Sequence, residues 1–377
     1  MECCKNSSQP PYNHKSTSFS IKLFAGNAHP DLAKRISNIL AIPLTDCVVG
    51  NFSNGETRVE IKENCRGCDA YVIQPVCNPE NSTKTVNDML MELLVMVSAL
   101  KGSSAARITA VMPIYGYARQ DKKDKSRAAI TSRLVADLLE VAGISRAITI
   151  DLHASQIQGF FSLPMDNLYS EDWLTHHLET HFKKFLPRGG QSATEAGLVI
   201  VSPDAGGAKR ATRIASKLGC DCAIISKERL KANEVNSMRL VGSVKDKICV
   251  IVDDMVDTCG TLIMASDMLR QEGATHVHAY AVHGVLSGGA IEKLNKSASI
   301  SSLVITNTIP QAENVKKCRK LHVIDISQLL AGAIKCIHTD ASVSALFSVE
   351  YCQKIIKEGE ETEGDEHGKS PSKHNKE

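Results

Sequence analysis

From residue 20 onward, short apolar runs alternate with longer segments in which apolar residues recur at helical spacing. Runs at residues 21–24, 57–61, 70–76, 107–112 and 147–150 predict strands. The segments 29–40, 88–101 and 128–142 predict helices, the first opened by Pro30 and Asp31. The same alternation resumes with strands at 198–201, 221–225, 247–252, 276–282, 302–306 and 322–324 and helices at 208–218, 262–272, 290–295 and 326–337. Apolar strands separated by helices predict an α/β fold of largely parallel sheets flanked by helices. Two similar domains follow, residues 19–165 and 166–348. Residues 1–18 are polar, carry Pro10-Pro11 and read as a disordered extension; residues 349–377 read as a charged disordered tail. The stretches 78–86 and 187–196, rich in polar, Pro, Gly and Ser residues, read as surface insertions.

Composition narrows the class. With 43% apolar and 23% charged residues, 377 residues make an ordinary soluble globular protein of two-domain size. A formal net charge of +2 provides no global basic field, so no nucleic-acid partner is expected and anion binding must come from local clusters. The N-terminus has no apolar signal core, and the most apolar helical segment, 89–100, is short and interrupted by Glu92, so no membrane span is expected. The 13 cysteines are odd in number and scattered through apolar strands, which suits reduced thiols and a cytoplasmic location. Cys65 and Cys68 form a CxxC without a second pair and read as thiols beside a turn.

Candidate chemistry concentrates at residues 247–261. An apolar run ends at Asp253 and Asp254, a polar turn follows with Asp257, Thr258, Cys259, Gly260 and Thr261, and a helix then begins. Free backbone N–H groups at that helix start, two threonine hydroxyls and a close main-chain approach at Gly260 make an anion nest. The adjacent carboxylates can accept from sugar hydroxyls or hold a metal, so the stretch suits a phosphorylated ribose. The plainer reading is a capped helix after a core strand, but three crowded acids repel and need cations or hydroxyls.

Other strand ends carry further groups. Residues 117–127 form a basic loop containing Arg119, Gln120 and Asp124, suited to polyphosphate or to solvent. His153, two residues after Asp151, could ligate metal, contact phosphate or be structural. Asp204, before Gly206-Gly207, could hold Mg²⁺ through water or cap a helix. Lys227 and Arg229 share one face of an extended segment and could stabilise a phosphoryl group in flight. Phe52, Asn54 and Glu56 could stack on and hydrogen-bond an adenine.

Taken in order, these motifs closely resemble the ribose-phosphate diphosphokinase (phosphoribosyl-diphosphate synthase) family from about residue 20 to 347. A phosphoribosyltransferase shares the sugar loop but needs no ATP motifs, and a non-catalytic associated subunit would lack the active-site residues that are intact here. The resemblance implies a type I phosphoribosyltransferase-like fold and transfer of the diphosphoryl group of Mg-ATP to the 1-hydroxyl of ribose 5-phosphate, giving 5-phosphoribosyl 1-diphosphate and AMP. By the same resemblance, Phe52, Asn54, Glu56, Arg119, Gln120 and Asp124 serve ATP on an N-terminal ATP side, and His153 and Asp204 serve Mg²⁺. Lys227 and Arg229 stabilise the transferring group; Asp253, Asp254, Asp257, Thr258, Cys259, Gly260 and Thr261 hold ribose 5-phosphate on the C-terminal side. It further implies a homo-oligomer, a hexamer of dimers, activated by inorganic phosphate and inhibited by ADP at Arg66, Gln158, Asp166, Asn167, Ser342, Val343 and Ser344. Asn64 stands where animal members with this regulation typically carry Ser.

Overall fold

A computed structural model describes residues 19–187, 197–228 and 237–347. The first half runs β1 (Ile21–Ala25), α1 (Pro30–Leu40), β2 (Cys47–Asn51), β3 (Thr57–Ile61), β4 (Asp69–Ile73), α2 (Val86–Gly102), β5 (Arg107–Met112), α3 (Thr131–Ala142), β6 (Arg146–Ile150) and β7 (Met165–Leu168). Its five-stranded sheet has the order β1-β4-β5-β6-β7, every pair parallel, while β2 and β3 form a separate antiparallel hairpin. All five residues of β4 are buried, as expected of a parallel strand covered on both faces.

Helix α4 (Glu171–Phe182) leads to the second half: β8 (Leu198–Ser202), α5 (Ala208–Leu218), β9 (Asp221–Glu228), β10 (Ser237–Val241), β11 (Ile248–Val256) and α6 (Gly260–Gln271). The chain then continues through β12 (His276–Gly284), α7 (Ala290–Lys296), β13 (Ile300–Thr306), α8 (Ala312–Lys317), β14 (Leu321–Ile324) and α9 (Ser327–His338). The seven-stranded sheet has the order β10-β9-β8-β11-β12-β13-β14 and is parallel apart from the β10–β9 pair. One apolar cluster joins the two sheets: Leu23, Tyr71 and Ile148 pack in the same core as Val250, Tyr280, Leu330 and Ile334.

The expected α/β fold with largely parallel sheets is the one observed. Strands β2, β7 and β10 and helices α4 and α8 were not among the elements expected from periodicity. β7 has only Met165 and Leu168 as apolar residues, and α4 breaks its apolar face with three histidines, so neither carries a clean pattern. The expected division after residue 165 falls at the start of β7, whereas pairing with β6 keeps the chain in the first sheet to Leu168. Strand β11 also runs past the expected end at Val252 to Val256, because β12 continues to pair with it through Gly284. Glu92, fully buried in α2, is satisfied by the Asn27 main-chain N–H at 2.7 Å, Gln74 Nε2 at 2.9 Å and Lys84 Nζ at 3.3 Å, so the interruption is a solvated-in-protein carboxylate.

Candidate active site

Strand β8 pairs with β11 only as far as Ile251, while β12 pairs with it to Val256. One edge of residues 252–256 is therefore left open, and Asp253 and Asp254 face a cleft of about 760 Å³. Its walls come from the carboxyl ends of both sheets: the loop after β5, the turn after β6, the Pro203–Gly207 turn after β8 and the loop after β11. Ligand sites in open α/β sheets lie at such strand ends.

The charges here are tightly organised. Asp254, mostly buried, receives His153 Nδ1 at 2.6 Å on one oxygen and lies 3.8 Å from Arg210 Nη1 on the other. Burial disfavours its charge, but the His153 hydrogen bond and the Arg210 guanidinium hold its carboxyl far below the usual range. Burial, then the adjacent Asp254 carboxylate, pushes Asp253 up to about 8. The Asp254 bond raises His153 above its ordinary value, against burial. A short Asp254–His153 contact beside a carboxyl whose pKa is raised thus occupies the floor of the cleft.

His153 is delivered by a strained turn. Asp151 has φ +40°, and its carboxylate accepts from Ser170 N at 2.8 Å and Ser170 Oγ at 2.5 Å. The main-chain N–H of Leu152 donates to Asn167 Oδ1 at 3.0 Å. After β8, Asp204 Oδ1 accepts from Gly207 N at 3.0 Å, and a Cβ at Gly207 would stand 2.8 Å from Ser202 Oγ. A side chain there would have to displace the Ser202 hydroxyl, which donates to Asp204 O at 2.7 Å.

The loop after β11 wraps the start of α6. Cys259 adopts a left-handed conformation, φ 59°, at the helix N-cap, and its buried thiol is pushed up to about 11 by desolvation, so it shapes the loop without ionising. Arg119 Nη1 donates to Asp257 Oδ2 at 2.7 Å, and Ser287 Oγ donates to the other Asp257 oxygen. Burial opposes the Asp257 charge, but these two donors keep its carboxyl below the usual range. Lys293 Nζ donates to Thr258 O at 3.2 Å. The turn thus presents free helix-end N–H groups between held cations, an anion site.

Ten of the residues singled out by sequence meet in this cleft: Arg119, His153, Asp204, Asp253, Asp254, Asp257, Thr258, Cys259, Gly260 and Thr261. Gln120 and Asp124 do not line it. Gln120 Oε1 accepts from Thr131 Oγ1 at 3.0 Å, and the exposed Asp124 lies 4.0 Å from Lys122 Nζ. Phe52, Asn54 and Glu56 sit on the β2–β3 hairpin outside the cleft, with the Arg58 guanidinium 6.0 Å from the Phe52 ring centre. Lys227 lies near the end of β9 opposite Met238; Arg229, like residues 1–18, 188–196 and 348–377, lies outside the described residues.

Of the second set, Asn167 reaches the cleft. Asp166 pairs with Arg146 at 2.6 Å, Gln158 Nε2 donates to Ser155 O at 3.0 Å, and the Arg66 N–H donates to Asn64 Oδ1 at 3.0 Å. The Ser344 N–H donates to Ser342 Oγ at 3.2 Å beside the 3-10 turn that begins at Val343. Sequence reasoning missed Lys209, Arg210 and Arg213 on α5 and the Gln156–Asp121 hydrogen bond at 2.6 Å. A signal existed: two cations in the first turn of a helix oppose its dipole and point to an anionic partner.

The donor set fits a hard divalent cation that keeps most of its water. His153 has Nδ1 committed to Asp254, leaving Nε2; Asp204 has Oδ1 committed to Gly207, leaving Oδ2. Among the described residues no three His, Cys, Asp or Glu groups converge as a closed cage.

Residues 21–143 match the family profile described as the N-terminal domain of ribose phosphate pyrophosphokinase, and residues 229–348 match one described as a phosphoribosyl synthetase-associated domain. The chain is 57% identical to ribose-phosphate pyrophosphokinase A of Dictyostelium discoideum over 328 residues, 87% of this chain and 98% of that protein. It is 40% identical to the phosphoribosylpyrophosphate synthetase of Mycobacterium smegmatis, whose crystal structure superposes with a TM-score of 0.77, covering 85% of this chain and all of that one.

Proposed function

The chain belongs to the ribose-phosphate pyrophosphokinase family, and from that premise we propose that the cleft between the two sheet ends is where it carries out the family's reaction. The enzyme transfers a diphosphoryl group from ATP to the 1-hydroxyl of ribose 5-phosphate. The sugar hydroxyl gives up its proton to water as its oxygen forms a bond to the β-phosphorus, the bond from that phosphorus to the α,β-bridging oxygen breaks, and AMP leaves with 5-phosphoribosyl 1-diphosphate as the other product.

The observation that carries the assignment of the site is one convergence: the acid-bearing loop 253–261, His153, Asp204 and Arg119 share one cleft although they come from four different strand ends. In this reading the nest at residues 257–261 takes the 5-phosphate, and Asp253 and Asp254 orient the ribose hydroxyls. Arg119, released from Asp257, binds ATP together with Gln120 and Asp124 of the same loop. His153 and Asp204 hold Mg²⁺, which supplies charge neutralisation on the donor phosphates. Lys227 and Arg229 stabilise the transferring group. Positioning and electrostatics carry such a reaction, with no covalent step on the protein.

The hairpin with Phe52, Asn54 and Glu56 stands outside the cleft, so its adenine role needs a second copy of the chain to bring it in. The family resemblance implies a homo-oligomer, a hexamer of dimers, and the apolar residues Leu134 and Val141, 56% and 79% exposed on α3, support self-association. Arg66, Gln158, Asp166, Asn167 and residues 342–344 form the candidate site for inorganic phosphate as activator and ADP as inhibitor. Free thiols at the described cysteines support a cytoplasmic setting. The decisive assay incubates the purified protein with ATP, ribose 5-phosphate and Mg²⁺, with and without inorganic phosphate. AMP is expected, and its release stops on chelation by EDTA; no AMP under either condition sinks the reading.

A further inference from the structure

His283 lies at the end of β12 and is 2% exposed. Parallel register sets it beside Met255, one residue past Asp254 on the neighbouring strand. Its Nε2 faces two main-chain oxygens of the first sheet, Ile150 O at 3.1 Å and Asp151 O at 3.3 Å. Carbonyls only accept, so Nε2 carries the hydrogen. Nδ1 lies 2.9 Å from Thr308 Oγ1, and in a neutral ring it is the acceptor of that hydroxyl. Burial keeps the ring neutral.

The turn that delivers His153 is thereby clamped from two sides. Its N–H groups are held within the first sheet, Asp151 N on Leu168 O at 2.8 Å and Leu152 N on Asn167 Oδ1 at 3.0 Å. The two carbonyls at the end of β6 are held from the second sheet, by His283. The His153–Asp254 contact of 2.6 Å crosses the same gap, and Asp151 sits at a positive φ that its surroundings must enforce. We propose that His283 is a positioning residue: by bridging the acid-bearing strand pair β11–β12 to the carbonyls of Ile150 and Asp151, it sets the depth at which His153 meets Asp254. The inference rests on the functional reading of His153 above.

The test measures AMP release and thermal midpoint for His283→Leu, His283→Gln, His153→Ala and the double variant His153→Ala/His283→Leu. His283→Leu is expected to lower kcat roughly 10- to 100-fold, the range for groups that orient a functional histidine, with KM for both substrates little changed. His283→Gln keeps an N–H at the ε position and recovers most of the loss. The double variant is no slower than His153→Ala alone, because there is then no imidazole to position. An additive double variant, or a His283→Gln enzyme as slow as His283→Leu, overturns the proposal. If His283→Leu does not fold, Thr308→Val, which removes the donor that fixes the ring tautomer, is expected to show a smaller kcat loss that also vanishes with His153→Ala; persistence of that loss overturns it equally. A wild-type enzyme that releases no AMP fails the functional reading, whereas an active wild type with additive variants fails this inference alone.

Discussion

His29 makes a quantitative prediction about the joint between the two halves. It caps α1, its Nδ1 accepting from Leu32 N at 3.3 Å, while its Nε2–H donates to Asn307 O at 3.0 Å across from the second sheet. The ring is 6% exposed, and burial lowers its pKa from 6.5 to about 4, against the pull of Asp31 and the Asn307 carbonyl. The folded pKa is below the unfolded one, so as pH falls the unfolded chain takes up the proton first. Stability from this group is complete above the unfolded value and is lost as pH falls through 6.5 toward 4. One group with these two values removes about 2 kcal/mol between pH 7 and pH 5, from the linkage relation. His29→Asn keeps a capping side chain but has no titration. Urea unfolding of both proteins at pH 7 and pH 5 is the assay. At pH 7 the variant is expected to be weaker by about 1–2 kcal/mol through the lost hydrogen bond. By pH 5 the gap closes or reverses. Parallel losses in the two proteins would show that His29 is not held neutral in the fold and would refute the reasoning.

Other expectations concern the cleft. Lys227→Ala should slow turnover by roughly 10²-fold or more with unchanged circular dichroism, as lost transition-state electrostatics generally do; an unchanged kcat removes Lys227 from its role. Asp254→Asn should return the His153 pKa toward its ordinary value, readable by imidazole NMR titration, and cut AMP release by at least roughly 10-fold. An unmoved His153 titration would deny the Asp254 bond its cause. Arg119→Ala removes the cation paired with Asp257 at 2.7 Å and should raise KM for ATP more than KM for ribose 5-phosphate in initial-rate kinetics, and equal changes would count against its assignment to the nucleotide.

Strands such as β4 and β8 are wholly buried and, apart from Asp69 and Ser202 at their ends, apolar, so their runs stand out. β7 and α4 escaped notice because pairing with β6 and packing into the shared core tolerate a sparse apolar pattern in them. Glu92 looked like a flaw in an apolar helix until Asn27, Gln74 and Lys84 were found around it.

For the site, local sequence determined what each strand end carries: carboxylates followed by a helix N-terminus at residues 253–261, a histidine two residues beyond Asp151, a glycine pair behind Asp204. Such features depend on residue type and near-neighbour spacing, which a chain displays directly. Tertiary structure alone decided which of them share space and in what state. The 2.6 Å contact of His153 with Asp254, the Arg210 cation behind it, the Arg119–Asp257 pair and the His283 bridge each join residues more than 40 positions apart. Their opposed pKa shifts arise from burial and from those distant charges, which act through space and leave no periodic mark on the chain.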